Sequence, residues 1–301
     1  MRLGVCTSCL SEVSLPEVLR WAGSSGFDAV EIDCPPVSGG TSWYSGSALD
    51  VERLDGPGRD AFQAALEAGG LAASALAWYA NLVAPGEEGA AAVAHLRRVV
   101  DEAAVLGVGV VSIHVGRDPL RGLGEAIAEF SRRIEPVLEQ AESSGVRLAV
   151  ENSPRVGWQF EDMPGNAAFS PELWEKLFTH VRSPALGLAL DPSHLVWQGI
   201  DPIAALTDYA EKVFHVQASD VELLEMRRQD CGVLRPSGGW WRRRLPGFGV
   251  IDWRRLLDRL TELGYEGAVV VEHEDPVWQG SLDQVKVGLG LARRHLVQFL
   301  P

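Results

Sequence analysis

Residues 106–114 read Leu-Gly-Val-Gly-Val-Val-Ser-Ile-His, a glycine followed by a short apolar segment that ends in a polar side chain. Glycine directly after a helix is the expected C-terminal cap, because it adopts the left-handed conformation without a Cβ clash. Continuous apolar segments bounded by such signals are typical of strands buried on both faces, as in parallel sheets. The stretch therefore predicts the end of a helix followed by a buried parallel strand.

The same pattern occurs five times along the chain. Small residues or glycines at 24–26, 68–70, 106–107, 143–145 and 262–264 precede apolar segments at 28–32, 71–76, 108–114, 146–151 and 267–272. Segments 3–6, 185–190 and 213–217 complete eight predicted strands. Helices are predicted at 15–24, 58–68, 89–106, 122–143, 171–181, 202–210, 253–263 and 282–297.

Strict alternation of eight strands with eight helices predicts an α/β protein with a single (β/α)₈ TIM barrel spanning residues 1–301. A doubly wound open sheet is the structural alternative. Two insertions interrupt the alternation, at 35–57, which is rich in Gly and Ser, and at 221–249, which carries an arginine cluster. No linker or low-complexity segment divides the sequence.

Composition excludes several classes of partner. The 301 residues include 27 Lys and Arg against 41 Asp and Glu, a formal net charge of −14. Nucleic acid is disfavoured, because affinity for the phosphate backbone comes mainly from basic side chains. The longest apolar segments are about seven residues long, too short to span a membrane. The oligomeric state is left open, and a homo-oligomer is compatible with the sequence.

The N-terminus and the cysteine count favour a cytoplasmic location. Residues 1–6 enter a strand-like segment at once and lack the apolar region and cleavage site of a signal peptide. Four cysteines are too few for a disulfide framework. Cys6 and Cys9 have the spacing of a zinc or redox pair, but without a second pair we interpret them as structural thiols.

Polar residues lie at the ends of six predicted strands. They are Glu31, His114, Glu151, Asp191 with His194, Gln217 and Glu272. Since the active site of such a barrel lies at the carboxyl ends of its strands, we expect these side chains to meet at one mouth. Three converging carboxylates repel one another, so a divalent cation is their natural partner. The alternative is that some of them cap helices or face solvent.

Five segments of the chain resemble the xylose-isomerase-like sugar isomerases and epimerases. They are Glu151 after its strand, the turn Asp191-Pro-Ser-His194, the segment 215–220 (His-Val-Gln-Ala-Ser-Asp), the segment 244–253 with its Leu-Pro-Gly-Phe-Gly, and the final Val-Glu272. This superfamily also contains ketose 3-epimerases, inosose dehydratases and a zinc-dependent apurinic endonuclease. The resemblance covers nearly the whole chain, and its motifs specify the substrate poorly.

The resemblance implies one divalent metal ion held by Glu151, Asp191, Gln217 and Glu272. Gln217 stands where the usual pattern has His, and its carbonyl oxygen is a harder donor. This departure favours Mn²⁺ or Mg²⁺ over Zn²⁺ or Co²⁺. His215 shares the strand face of Gln217, so it is the alternative ligand from that strand.

The endonuclease branch needs further ligands that this chain lacks. Trp78 falls near the position of a histidine on the third strand, and Arg242 and Arg244 fall where an Asp-x-His pair is required. Phosphodiester hydrolysis is therefore disfavoured, and the two arginines leave a place for an anion or for polyol hydroxyls.

We interpret the chain as a metal-dependent isomerase or epimerase acting on a small sugar or cyclitol. The metal ion would assist removal of a proton α to a carbonyl, and a cis-enediolate would form. Glu151 and Glu272 would serve as base and acid. Substrate-binding roles fall to six residues: His194, Arg244, Arg242, His114, Glu31 and Trp78. An inosose-dehydratase-like lyase and a non-catalytic sugar-binding barrel are the alternatives.

Other aromatic and histidine residues carry less weight. Tryptophans in predicted strand-end or loop segments could stack on a sugar ring, although core packing explains most of them: Trp43, Trp78, Trp158, Trp197, Trp240 and Trp241. Three histidines on helical patterns are expected at the surface: His95, His180 and His295.

Overall fold

The structure, a computed structural model, describes residues 1–37, 42–155, 164–235 and 239–301. Eight parallel strands form a barrel, numbered here in chain order. They are β1 (Arg2–Cys6), β2 (Ala29–Asp33), β3 (Ala72–Trp78), β4 (Val110–Ile113), β5 (Arg147–Glu151), β6 (Leu186–Leu190), β7 (Val213–Ala218) and β8 (Ala268–Val271). Each corresponds to a strand predicted from the sequence.

The sheet closes on itself. β1 pairs in parallel with β2 on one side and with β8 on the other, with Val5 opposite Val271 in the second pairing. The strands follow one another around the barrel in chain order. Closure confirms the (β/α)₈ barrel and excludes the doubly wound open sheet.

Within the described ranges, a helix at each of the eight predicted positions follows its barrel strand. The helices are α1 (Leu15–Ser24), α2 (Gly56–Gly69), α3 (Gly86–Leu106), α4 (Leu123–Ser144), α5 (Pro171–His180), α6 (Pro202–Asp208), α7 (Trp253–Glu262) and α8 (Leu282–Leu296). Gly107 ends α3 with φ 71°, the left-handed cap that its position in the sequence predicts.

Apolar side chains fill the space between strands and helices. Trp174, Trp253, Phe62 and Phe130 are fully buried there. His95 of α3 is also buried, with its Nε2 2.7 Å from the carbonyl oxygen of Cys34, so the expectation that it lies at the surface is wrong. A helical pattern shows which residues share a face but does not show that a histidine on the inner face has a carbonyl partner.

The two insertions form small elements beside the barrel. The first contains the two-stranded ribbon Tyr44–Ser45 and Ala48–Leu49. The second contains both strands of an antiparallel pair, Asp220–Leu223 and Trp241–Arg244, of which only Asp220 precedes the insertion, and the short helix Glu225–Cys231. We call the antiparallel pair the mouth hairpin. A further short helix, Pro192–Val196, follows β6 directly.

Asp220 holds the base of the mouth hairpin. Its carboxylate accepts hydrogen bonds from the backbone N–H groups of Val221, Gly247 and Ile251, and from the indole Nε1 of Trp253, at 2.8–3.2 Å. A Cβ on Gly249 would clash with the same carboxylate. The Gly-Phe-Gly of the sequence is therefore a structural turn.

Among the residues that the structure describes, no helix has both the length and the apolar character needed to cross a bilayer.

Candidate active site at the carboxyl end of the barrel

Glu151, the last residue of β5, is held from two sides. Its Oε2 lies 2.7 Å from Nε2 of His114, and its Oε1 lies 3.3 Å from Nε2 of His194. The amide of Asn166 donates to the carbonyl oxygens of Glu151 and Ser153 at 3.0 and 2.8 Å, which fixes the backbone after the strand. Burial alone would raise the pKa of Glu151, but the two histidines outweigh it and lower that pKa.

Asp191 follows β6 and caps the short helix that begins at Pro192. Its Oδ1 accepts a hydrogen bond from the backbone N–H of Ser193 at 2.7 Å. Asn152 pairs with the backbone N–H and carbonyl of Asp191 at 2.7 and 2.9 Å, so the ends of β5 and β6 are joined. Burial raises the pKa of Asp191 to about 6, against the lowering effect of His194.

Glu151, Asp191 and His194 form a compact cluster. One ligand atom from each lies within 4.8 Å of the other two, and all three residues are buried. His194 Nε2 is 3.5 Å from Oδ2 of Asp191. The sequence assigned Glu151 and Asp191 to a metal and His194 to the substrate, and the fold brings all three together.

Glu272, one residue beyond β8, lies near this cluster but outside it. Its Oε2 accepts a hydrogen bond from Ser219 Oγ at 3.3 Å. Burial and the charges of Glu274, Glu151 and Asp191 raise its pKa well above the usual range, against the effect of Arg243. Among the described residues, Glu272 does not belong to the group whose ligand atoms lie within 4.8 Å of one another.

Gln217 and His215 of β7 both reach Glu31 of β2. His215 Nε2 lies 2.6 Å from Oε2 of Glu31, and Gln217 Nε2 donates to Oε1 at 3.2 Å. Tyr79, which follows β3, donates its hydroxyl to the same Oε1 at 2.7 Å and accepts from Gln217 Nε2 at 2.7 Å. His215 is therefore bound to Glu31, whereas Gln217 Oε1 has no hydrogen-bond partner among the described residues.

The arginines of the mouth hairpin divide between its two faces. Arg242 and Arg244 bind Glu222 at 2.6 and 2.8 Å, and Arg244 also binds Asp275 at 2.9 Å. Arg243 lies on the other face, because alternate residues of a strand point to opposite sides. It forms an ion pair with Glu274. Partial burial would lower the pKa of Arg243, but the charges of Glu274, Glu272, Asp191 and Glu151 outweigh it and raise that pKa.

Trp78 packs away from the cluster. Its indole Nε1 donates to the carbonyl oxygen of Ala92 in α3 at 3.1 Å, and its ring lies 5.0 Å from that of His95. Trp197 and Trp241 stack with ring centroids 4.7 Å apart, which joins the mouth hairpin to the segment after His194. Trp240 is buried, Trp43 packs on Phe62, and Trp158 lies outside the described residues.

The sequence reasoning missed Tyr79, Arg243 and Asp33. Successive side chains of a strand point to opposite sides. If Trp78 at the end of β3 points outward, the next residue, Tyr79, points inward, so the sequence could have indicated Tyr79. Asp33 ends β2, and its pKa is raised to about 7 by burial and then by the charges of Glu31 and Glu151. No sequence signal distinguishes Arg243 from its two neighbours.

The donor set suits a cation with a preference for oxygen ligands. Oδ2 of Asp191 and Oε1 of Gln217 are buried and accept no hydrogen bond from any described residue. Buried polar atoms are nearly always partnered, and buried carboxylates that raise each other's pKa are stabilised by a positive charge. The residues present therefore fit a divalent metal ion.

The family assignment agrees with the fold. A profile of the family described as xylose isomerase-like TIM barrel matches residues 19–295, and the chain belongs to this family. It is similar to the uncharacterized protein YfiH of Bacillus subtilis, with 26% identity over 91% of this chain and 93% of that protein. It is also similar to an inosose dehydratase of Clostridium beijerinckii, with 31% identity over only 45% of this chain and 43% of the enzyme.

Solved structures share the fold along nearly the whole chain. An L-ribulose 3-epimerase superposes with a TM-score of 0.67 and 19% identity, covering 99% of this chain and 97% of the other. The IOLI protein with a bound zinc atom superposes with a TM-score of 0.67 and 20% identity, covering 100% and 99%. Proteins with this fold therefore include a sugar epimerase and a protein with a bound zinc atom.

Proposed function

We propose that this protein is a divalent-metal-dependent isomerase or epimerase of a small ketose or cyclitol ketone. The observation that carries the proposal is the buried cluster of Glu151, Asp191 and His194 at the carboxyl end of the barrel. Surplus buried negative charge in a mouth that also holds an arginine suits a cation and a polar, uncharged substrate. The relatives named above support this substrate class.

Glu151 and Asp191 are the proposed core of the metal site, with Gln217 and Glu272 as the remaining ligands. Mn²⁺ or Mg²⁺ suits this oxygen-rich set better than Zn²⁺. When bound, the ion would polarise the substrate carbonyl and acidify the adjacent C–H.

The proton transfers belong to Glu151 and Glu272, which approach the mouth from β5 and β8. One carboxylate removes the α-proton, and the other returns a proton to the opposite face or to the neighbouring carbon. His114 holds Glu151 through its 2.7 Å hydrogen bond, so we propose that it orients the base.

His194 and Arg243 are the proposed substrate-binding groups nearest the carboxylates. Nε2 of His194 lies 3.3 Å from Oε1 of Glu151 and 3.5 Å from Oδ2 of Asp191. Because both neighbours are acceptors, we assign the ring proton to Nε2, which leaves the lone pair on Nδ1. That atom is buried and has no partner within the described ranges, so it can accept from a sugar hydroxyl. We place the substrate anchor at Arg243 and not at Arg242 or Arg244, because Arg243 lies on the hairpin face that feels the charges of Glu272, Asp191 and Glu151.

Proton NMR in D₂O with the Mg²⁺-loaded protein and a panel of ketoses and inososes tests the proposal. The expected result is replacement of the α-proton by deuterium in at least one compound, with conversion to an isomer or epimer and no loss of water. Absence of exchange across the panel, while a sugar still binds, would instead identify a non-catalytic sugar-binding barrel.

A lyase is the second candidate, favoured by the partial similarity to the inosose dehydratase. It shares the first step, removal of the α-proton, and then expels hydroxide from the adjacent carbon. In the same NMR experiment, an unsaturated product formed with loss of water would identify this activity.

A further inference from the structure

The amide of Gln217 has one orientation that satisfies all its neighbours. Its Nε2 lies 3.2 Å from Glu31 Oε1 and 2.7 Å from the hydroxyl of Tyr79. A carboxylate oxygen accepts hydrogen bonds and does not donate them, and the Tyr79 hydroxyl already donates to Glu31 at 2.7 Å. Both neighbours therefore present acceptors, and the NH₂ group must face them.

This orientation leaves the carbonyl oxygen of Gln217 without a partner. Oε1 is buried, Gln217 is only 1% exposed, and no described residue donates to that atom. Turning the amide over would bring Oε1 against the Glu31 carboxylate and lose both hydrogen bonds. Glu31 is itself held by His215 Nε2 at 2.6 Å, so it cannot easily follow such a rotation.

We infer that Glu31 and Tyr79 are positioning residues that fix the Gln217 amide, so that its carbonyl oxygen is always presented as a metal ligand. The inference rests on the proposed function, which makes Gln217 a ligand. Partners outside the ligand shell commonly change metal affinity by about 10- to 100-fold when they are removed. The inference also assigns Glu31 a positioning role in place of the substrate-binding role that the sequence predicts.

A double-mutant cycle on Mn²⁺ affinity tests the inference. Mn²⁺ is titrated into four proteins prepared without metal: the wild type, Glu31→Gln, Gln217→Ala and the double variant. Free Mn²⁺ in each titration is measured by electron paramagnetic resonance. In Glu31→Gln the new side-chain amide can donate hydrogen bonds as well as accept them, so the Gln217 amide is free to turn over. We expect Glu31→Gln to weaken Mn²⁺ binding by about tenfold more in the wild-type background than in the Gln217→Ala background.

The two backgrounds separate positioning from charge. Removal of the Glu31 charge weakens cation binding equally in both backgrounds. Loss of the fixed orientation of the Gln217 amide weakens binding only when Gln217 is present. Equal losses in the two backgrounds would overturn the inference while leaving the metal site intact. If Gln217→Ala itself leaves Mn²⁺ affinity unchanged, the proposed ligand set fails at Gln217, and the inference fails with it.

Tyr79→Phe provides a second cycle with no change of charge, which also decides the matter if Glu31→Gln does not fold. One hydroxyl is lost, so we expect about two- to tenfold weaker Mn²⁺ binding, and no effect in the Gln217→Ala background. Tyr265→Phe is the matched control, because it removes a hydroxyl that donates to Ala268 at the opposite end of β8. An equal effect of Tyr79→Phe in both backgrounds would contradict positioning.

Discussion

Glu151 and Asp191 show how two neighbouring buried carboxylates can differ. Glu151 has two histidines against it and a lowered pKa, whereas Asp191 has one oxygen occupied by Ser193 and a pKa raised to about 6 by burial. Asp191 is thus the carboxylate with an open oxygen, and in our proposal it only ligates. Glu151 and Glu272 have the second task of moving a proton.

Glutamine substitutions separate the two tasks. Glu151→Gln and Glu272→Gln keep a carbonyl oxygen for the metal but cannot accept a proton at neutral pH. We expect both variants to retain most Mn²⁺ binding and to lose α-proton exchange by about 10²–10⁴-fold, the usual contribution of a positioned base. The measurement is deuterium incorporation into an accepted ketose at saturating Mn²⁺.

Asp191→Asn is the control for these variants. It should lower the rate through metal occupancy and recover in part with excess Mn²⁺, which the glutamine variants should not do. Near-wild-type exchange in Glu272→Gln would contradict the two-carboxylate assignment.

The mouth hairpin is the element that brings Arg243 towards the barrel, and Asp220 anchors it. Asp220→Ala leaves the N–H groups of Val221, Gly247 and Ile251 and the indole of Trp253 without their acceptor. We expect the free energy of unfolding in urea to fall by about 3 kcal/mol, because each unsatisfied buried donor costs about 1–3 kcal/mol and some regain water.

Glu222→Gln is the matched change on the same hairpin. Its partners Arg242 and Arg244 are partly exposed, so the loss should stay below about 1 kcal/mol. Equal losses for Asp220→Ala and Glu222→Gln would show that Asp220 is not the anchor.

The barrel elements could be predicted from the sequence because each is locally encoded. A capping glycine such as Gly107 and the apolar segment after it are adjacent in the chain, so their structure follows from neighbours alone. A residue that ends or directly follows a strand, such as Glu151 or Asp191, lies at the mouth because the carboxyl ends of the strands meet there. That is why the polar strand ends were found.

Contacts between distant strands could not be predicted. Glu31 and His215 are in contact across the barrel, and neither sequence segment contains a signal that predicts the other as its partner. Irregular pairing adds to the difficulty: Leu188 lies opposite Val213 but Ala189 lies opposite His215, so β7 contains one extra residue. Such a bulge changes which side chains face inward. The choice of Arg243 over Arg242 and Arg244 depends on the register of the hairpin in the same way.

At the scale of the whole molecule, a ligand that binds only the folded state must stabilise it. Glu151 ends β5 and Asp191 follows β6, so the unfolded chain offers no preformed site. At a Mn²⁺ concentration a hundred times the dissociation constant, the expected stabilisation is about 2.7 kcal/mol. This corresponds to a rise of several degrees in the Tm of the metal-free protein, measured by calorimetry.

The same titration on Asp191→Asn should give a much smaller rise at equal Mn²⁺. An unchanged Tm for the wild type, or an equal rise in the variant, would argue against a metal site at Asp191.

A crystal structure of the protein grown with Mn²⁺, with the ion located by its anomalous signal, tests the central claim most directly. We predict one ion at the carboxyl end of the barrel, with oxygens of Glu151, Asp191, Gln217 and Glu272 at roughly 2.0–2.4 Å. The account is contradicted if Mn²⁺ binds elsewhere. It is also contradicted if the carboxylates of Glu151, Asp191 and Glu272 stay more than about 6 Å apart, since they could not then share one ion.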